Sequence, residues 1–144
     1  VKEVFACFDK MLAAGLIVPN MVTFMILLSA CSHAGLVEEG EAYFYTMDRV
    51  YTLTPTLEHY GCIVDLFSRA GQFDKALVVI ERMPRFDHVP TWATLLGACK
   101  KWGYLKLGEL AFEHLVQLDG NNAAGYVSMS NIYAAASATE GTYV

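Results

Sequence analysis

The sequence predicts an all-α fold built as an α-solenoid, and three observations carry that prediction. An aromatic residue recurs at Phe24, Tyr60, Trp92 and Tyr126, at intervals of 36, 32 and 34 residues. The first three aromatics are each followed eleven residues later by a glycine: Gly35, Gly71 and Gly103. Between aromatic and glycine runs an apolar stripe at helical spacing. A period near 34 residues marks a repeat whose unit is two helices. One such hairpin cannot bury its apolar face alone, and stacking hairpins makes a continuous core. The alternative is a compact helical bundle whose internal similarity is accidental.

Each element has its own justification. Ahead of the first aromatic, Val4, Phe5, Phe8, Met11 and Leu12 read as the second helix of a unit whose first helix lies upstream, and Pro19-Asn20 ends it. Val1 opens in mid-pattern, so the sequence reads as part of a longer chain. Next, Phe24, Leu27, Leu28 and Cys31 follow the i, i+3, i+4, i+7 stripe, and Gly35 suits a left-handed C-cap. A second helix begins near Val37, carries Tyr43, Phe44 and Met47, and is closed by Pro55. The acidic pair Glu38-Glu39 suits the positive end of that helix. The pattern repeats with Tyr60, Ile63, Val64, Phe67 and Gly71, then Ala76, Leu77, Ile80 and Met83, ended by Pro84. It repeats again with Trp92, Leu95, Leu96, Cys99 and Gly103, then Leu107, Leu110, Ala111 and Leu115. A fourth helix opens with Tyr126, Met129 and Tyr133, and the pattern degenerates after Ala136.

Composition narrows the function. The 144 residues are 55% hydrophobic and 17% charged, which excludes a disordered chain. The longest apolar run, Val22 to Cys31, is about half of a bilayer span, so no membrane association is expected. No signal peptide is visible. The net charge of −5 gives no generic attraction to nucleic acid, and the longest basic run is Lys100-Lys101. Cys7, Cys31, Cys62 and Cys99 lack paired spacing and sit among apolar residues, so they read as core packers. His33, His59, His88 and His114 stand in no His-x-Glu motif, and there is no Pro-Cys-x-x-Cys. They are expected at helix ends and polar surfaces. With no phosphate loop or nucleophile motif either, no enzyme, metal or cofactor is predicted.

The strings carry a family resemblance. Val22-Thr23-Phe24, Leu27-Leu28, Ala30-Cys31 and Ala34-Gly35 together resemble the first helix of a pentatricopeptide (PPR) repeat. The pairs Phe8/Met11, Phe44/Met47 and Ile80/Met83 resemble its second helix, and Pro19-Asn20 its ending. A unit of 36 residues followed by one of 32 resembles the long and short members of the plant PLS subclass. Residues 92–108 resemble the first extension (E1) motif of these proteins, and Tyr126 to Ala135 the start of the second (E2). The resemblance covers residues 1–136. It implies a right-handed α-solenoid: the second helix of a truncated P-type unit over 1–20, a long unit over 21–56, a short unit over 57–88, an E1-like unit over 89–122 and a truncated E2-like unit over 123–144. Ser137 to Val144 depart from the family, where a further turn and helix would follow.

The resemblance also implies a function. Such proteins read RNA one base per unit, through the fifth and last residues facing a concave groove. The corresponding positions are Asn20, then Met25 with Thr56, Gly61 with His88, and Ala93 with Asn122. Asn20 offers an amide donor and acceptor to a base edge, or else Pro-Asn is a plain turn. The other pairs lack the Asn, Ser or Thr with Asp or Asn that reading requires. The family aromatics at the fourth position read as packing between hairpins. The implied protein is the C-terminal part of a mitochondrial or chloroplast RNA-binding PPR protein, a C-to-U editing specificity factor. It would position single-stranded RNA and recruit editing cofactor proteins or a deaminase domain through the extension motifs. The alternative is a protein–protein interaction scaffold without direct RNA readout. The uncovered stripe of Phe5, Phe8, Met11 and Leu12 predicts self-association.

Overall fold

The computed structural model describes residues 2–16 and 18–142. Among these residues all regular structure is α-helical: α1 (Lys2–Ala13), α2 (Met21–Ala34), α3 (Val37–Arg49), α4 (Leu57–Arg69), α5 (Phe73–Arg82), α6 (Val89–Trp102), α7 (Leu105–Leu118) and α8 (Ala123–Thr142). None of these helices is long and apolar enough to cross a membrane. The chain forms two compact units, Val1–Pro84 and Arg85–Val144.

Glycine ends the first helix of each full hairpin. Gly35, Gly71 and Gly103 have φ of 70°, 75° and 76°, a left-handed conformation that costs glycine little. The next residue then bonds back across the turn. The N–H groups of Leu36, Gln72 and Tyr104 donate to the carbonyls of Cys31, Phe67 and Cys99, at 3.0, 2.8 and 3.0 Å. This 6→1 bond is the Schellman closure of a helix. It turns the chain at the same place three times.

In the first unit, α2 packs against α3 and α4, and α4 against α3 and α5. The two first helices therefore lie side by side. Phe24 and Leu27 of α2 join Phe8 of α1 and Met47 of α3 in one buried cluster, with Phe5, Leu12, Tyr43 and Tyr51 packed around it. Phe5 stacks on Tyr43 at 5.6 Å, and Phe24 meets Tyr51 at 5.5 Å. In the second unit, α6 packs against α7 and α8, and α7 against α8.

The hairpins close through small residues. Gly40 of α3 lies against α2 and α4, where a β-carbon would stand 3.1 Å from Cys31 Cβ and collide with Leu66 Cδ2. Gly108 of α7 repeats the arrangement, 3.4 Å from Cys99 Cβ and 3.1 Å from Ile132 Cδ1. Cys31 and Cys99 are thus the small partners of a glycine crossing. Burial pushes both thiols up to about 11, with Glu39 adding to the effect at Cys31.

Several residues depart from their expected burial. Cys7 is exposed rather than core, and Cys62 is half-buried. Leu110, Tyr126 and Tyr133 are exposed, and among the described residues of α8 the buried ones are Gly125, Met129 and Ile132. The helix α8 runs on past Ala136 to Thr142. Phe8 is buried in the first cluster, so the uncovered stripe shifts to Val4 and Cys7 of α1 beside Val22 and Ile26 of α2.

Candidate nucleic-acid interface

The residues placed at the last positions of the repeats all stand at the start of a helix. Asn20 caps α2: its Oδ1 accepts from the Thr23 N–H at 3.0 Å, and Thr23 Oγ1 accepts from the Asn20 N–H at 3.2 Å. This reciprocal box satisfies donors that a helix start otherwise leaves unpaired. Thr56 caps α4 with His59 three residues on. His88 stands at the N-cap position of α6 without a side-chain bond to the helix backbone, its Nδ1 2.8 Å from the Thr91 hydroxyl oxygen. Asn122 precedes α8, and its Oδ1 accepts from the Gly125 N–H at 2.9 Å. The Oδ1 of Asn20 is engaged in capping α2, and the Nδ2 amide lies outside the capping box.

His59 stands at a helix end as expected, within the capping box of α4, but it is buried rather than at a polar surface. Its Nε2 lies 2.9 Å from the Met21 carbonyl oxygen, which can only accept, so Nε2 carries the proton. Nδ1 is then an acceptor, for the Thr56 hydroxyl at 2.7 Å and the Thr56 N–H at 3.2 Å. One imidazole thus ties the start of α4 to the first turn of α2.

The fifth positions offer little. Met25 and Gly61 are half-buried, and Ala93 is exposed. Around them the facing edges of α2 and α4 carry polar contacts. Ser29 Oγ lies 3.8 Å from Cys62 Sγ, the Ser32 hydroxyl donates to Asp65, and Arg69 Nε donates to Asp65 Oδ1 at 2.8 Å. The basic side chains His33, Arg69 and Lys101 occupy one repeat position near the C-terminal end of α2, α4 and α6, all exposed. A cation suits that end of a helix. Sequence reasoning missed this recurrence, although alignment of the repeats on their glycines displays it.

The fourth-position aromatics pack. Phe24 and Trp92 are buried. Trp92 Nε1 donates to the Phe86 carbonyl at 2.8 Å, and its ring stacks on His114 at 4.1 Å. Tyr60 meets Phe44 edge-on at 5.3 Å, and Tyr126 meets Phe112 at 5.2 Å. Among the described residues, no group of three or more His, Cys, Asp or Glu side chains could hold a metal ion.

Asn20, Met25, Thr56 and Gly61 lie in the first compact unit, and His88, Ala93 and Asn122 in the second. Helical hairpins of similar length, each opening on a polar residue and turned by a left-handed glycine, define a helical-repeat protein. Residues 22–50 and 58–88 match the PPR repeat family, and the match falls on the hairpins α2–α3 and α4–α5. The chain is homologous to PPR-containing proteins of Arabidopsis thaliana over nearly its whole length. It is 44% identical to At3g29230 over 97% of this chain and 23% of that protein, and 47% identical to At3g56550 over 93% and 23%. It is 45% identical to At1g77170, named as mitochondrial, over 92% and 28%. The chain thus spans about a quarter of the length of these curated relatives. In structure it is similar to PPR10, a PPR protein from maize, with a TM-score of 0.69 and 25% identity over 92% of this chain and 19% of that one.

Proposed function

We propose that this chain is part of an organellar PPR protein that binds single-stranded RNA along its first helices, and that the protein is a C-to-U editing specificity factor. The observation that carries the RNA reading is the recurrence, repeat after repeat, of a polar residue at the start of the first helix and a basic residue near its end. A cap amide such as Asn20 Nδ2 can meet a base edge, and Arg69 or Lys101 can meet the phosphate. The editing role rests on the long and short unit lengths and the E1-like and E2-like strings. In this reading residues 89–144 recruit editing cofactor proteins or a deaminase domain, and the chain itself performs no catalysis. The mitochondrial relative favours an organelle, mitochondrion or chloroplast.

The code positions set an expected affinity. Met25, Gly61 and Ala93 cannot read a base as Asn, Ser or Thr would, and Asn20 stands alone. This chain should therefore bind short RNAs with dissociation constants of about 10⁻⁴–10⁻⁶ M at physiological salt and little sequence preference. Gel shifts with a panel of RNAs check this. Grafting Met25→Asn with Thr56→Asp and Gly61→Thr with His88→Asp should raise affinity only with further repeats upstream. A nanomolar, selective complex with the unchanged chain would overturn the assignment of the reading positions. The scaffold alternative is favoured where Ala93 faces solvent without a reading side chain, and it predicts no RNA binding at any salt.

The apolar groove between α1 and α2, lined by Val4, Cys7, Met11, Val22 and Ile26, supports self-association as well. Sedimentation should show a concentration-dependent dimer that Ile26→Glu removes. A strictly monomeric species would count against it.

A further inference from the structure

The turn of the third hairpin differs from the other two. Aligned on their glycines, Ser32, Ala34, Leu36 and Glu38 of the first hairpin correspond to Ser68, Ala70, Gln72 and Asp74 of the second. The third has Lys100, Trp102, Tyr104 and Lys106 at those places. Two serines that are buried become an exposed lysine. Two alanines become a tryptophan that is 46% exposed, and the residue after the glycine becomes a tyrosine that is 49% exposed. Lys101 lies between Lys100 and Trp102, with Nζ 5.2 Å from the Trp102 ring centroid.

Stability alone does not account for these residues. Lys106 stands in the first turn of α7, where the helix dipole disfavours a cation and where α3 and α5 carry Glu38 and Asp74. Trp102 leaves nearly half of its large apolar surface in solvent. Charge is also segregated: no acidic residue occurs between Asp87 and Glu109, a stretch that holds three of the ten basic residues of an acidic chain. Exposed aromatic rings interleaved with lysines are the means by which proteins hold single-stranded nucleic acid without reading its sequence. The rings stack on bases and the cations follow the phosphates.

We infer that the α6–α7 turn, through Trp102, Tyr104, Lys100, Lys101 and Lys106, is a sequence-independent contact for single-stranded RNA. It rests on the reading that this protein meets RNA, and it names the residues that carry binding where the code positions are empty. An anionic lipid surface would use similar chemistry, but the turn carries only Lys100, Lys101 and Lys106, fewer than the roughly 4–8 clustered basic residues that mark a lipid-binding patch.

The test is fluorescence anisotropy of a labelled oligouridine at low and moderate salt, with melting curves of each variant. Trp102→Ala should weaken binding by about 5-fold or more. Replacing the three lysines by alanine should flatten the dependence of log K on log salt by about 0.7 for each phosphate that is no longer neutralised. Lys106→Glu should weaken binding while leaving the melting temperature unchanged or higher, which a purely structural residue would not do. RNA should quench tryptophan fluorescence in the unchanged protein but not in Trp102→Phe, which keeps a stacking ring and most of the affinity. If these variants bind as the unchanged protein does while Arg69→Ala loses binding, the turn does not touch RNA and the groove reading stands alone. If the unchanged protein binds no oligouridine, both readings fall. If Trp102→Ala abolishes binding to phosphatidylserine vesicles but not to RNA, the turn belongs to a membrane and the inference is overturned.

Discussion

Replacing Phe24 with alanine should destabilise the first compact unit by about 3–5 kcal/mol. Phe24 is fully buried, and its ring is surrounded by Phe8, Leu27 and Met47, with Tyr51 at 5.5 Å. These neighbours come from α1, α2, α3 and the segment after α3, so the ring holds several elements at once. Their collapse into the space would require three helices to shift together, which places the cost at the upper part of the range for large-to-small changes. Met25, the next residue, is half-buried, and Met25→Ala should cost far less. Both tryptophans lie in the second unit, so their fluorescence does not report directly on the site. Urea melts followed by far-UV circular dichroism will show the loss as a lower midpoint for the helical signal. Equal losses at residues 24 and 25 would mean that the inward face of α2 has been misassigned.

Replacing Gly40 with valine should cost about 1–3 kcal/mol or more through overpacking. A glycine inside a helix normally costs up to about 1 kcal/mol relative to alanine, so adding a side chain should help if space allowed. Space does not allow it here. The new β-carbon would collide with Leu66 Cδ2 and press on Cys31 Cβ at 3.1 Å. Leu66 is itself buried and cannot swing into solvent, and Cys31 Cβ is fixed to the backbone of α2. Gly97 in α6 is the control, since nothing lies within 4 Å of its β position. Gly97→Ala should raise stability by roughly 0.5–1 kcal/mol. Opposite signs at two helical glycines, read from thermal melts, would establish that Gly40 is kept small by its neighbours. A neutral Gly40→Val would show that α3 can move away from α2 at little cost.

The turns were legible because glycine leaves a local signal. Gly35, Gly71 and Gly103 each take a left-handed backbone, and their recurrence at 36 and 32 residues exposed the hairpins. Faces were less legible where the pattern is weak. In α8 small residues surround Tyr126 and Tyr133, so the stripe could be drawn through the tyrosines or through Met129 and Ile132, and tertiary packing chose the latter. Cys7 shows the same weakness: an apolar neighbourhood in sequence did not bury it. The candidate interface was legible in position but not in role. Asn20, Thr56, His88 and Asn122 could be located by counting along the repeat, yet a capping oxygen and a base-reading amide belong to the same residue types. The bond from His59 to the Met21 carbonyl spans 38 residues, and no local pattern announces it.

The shared use of the cap has an evolutionary consequence. A helix start accepts only a few side chains well, chiefly Asn, Asp, Ser and Thr. If the same position also selects a nucleotide, then every change of target is at once a change in folding free energy. Drift among those four residues leaves the helix start intact, whereas escape from them demands compensation nearby. His88 shows such an escape, with Thr91 three residues on supplying the hydroxyl that Thr56 supplies to His59 in the preceding hairpin. The repertoire of targets open to such a protein is therefore bounded by what its helices tolerate at their first turn, before any partner is met.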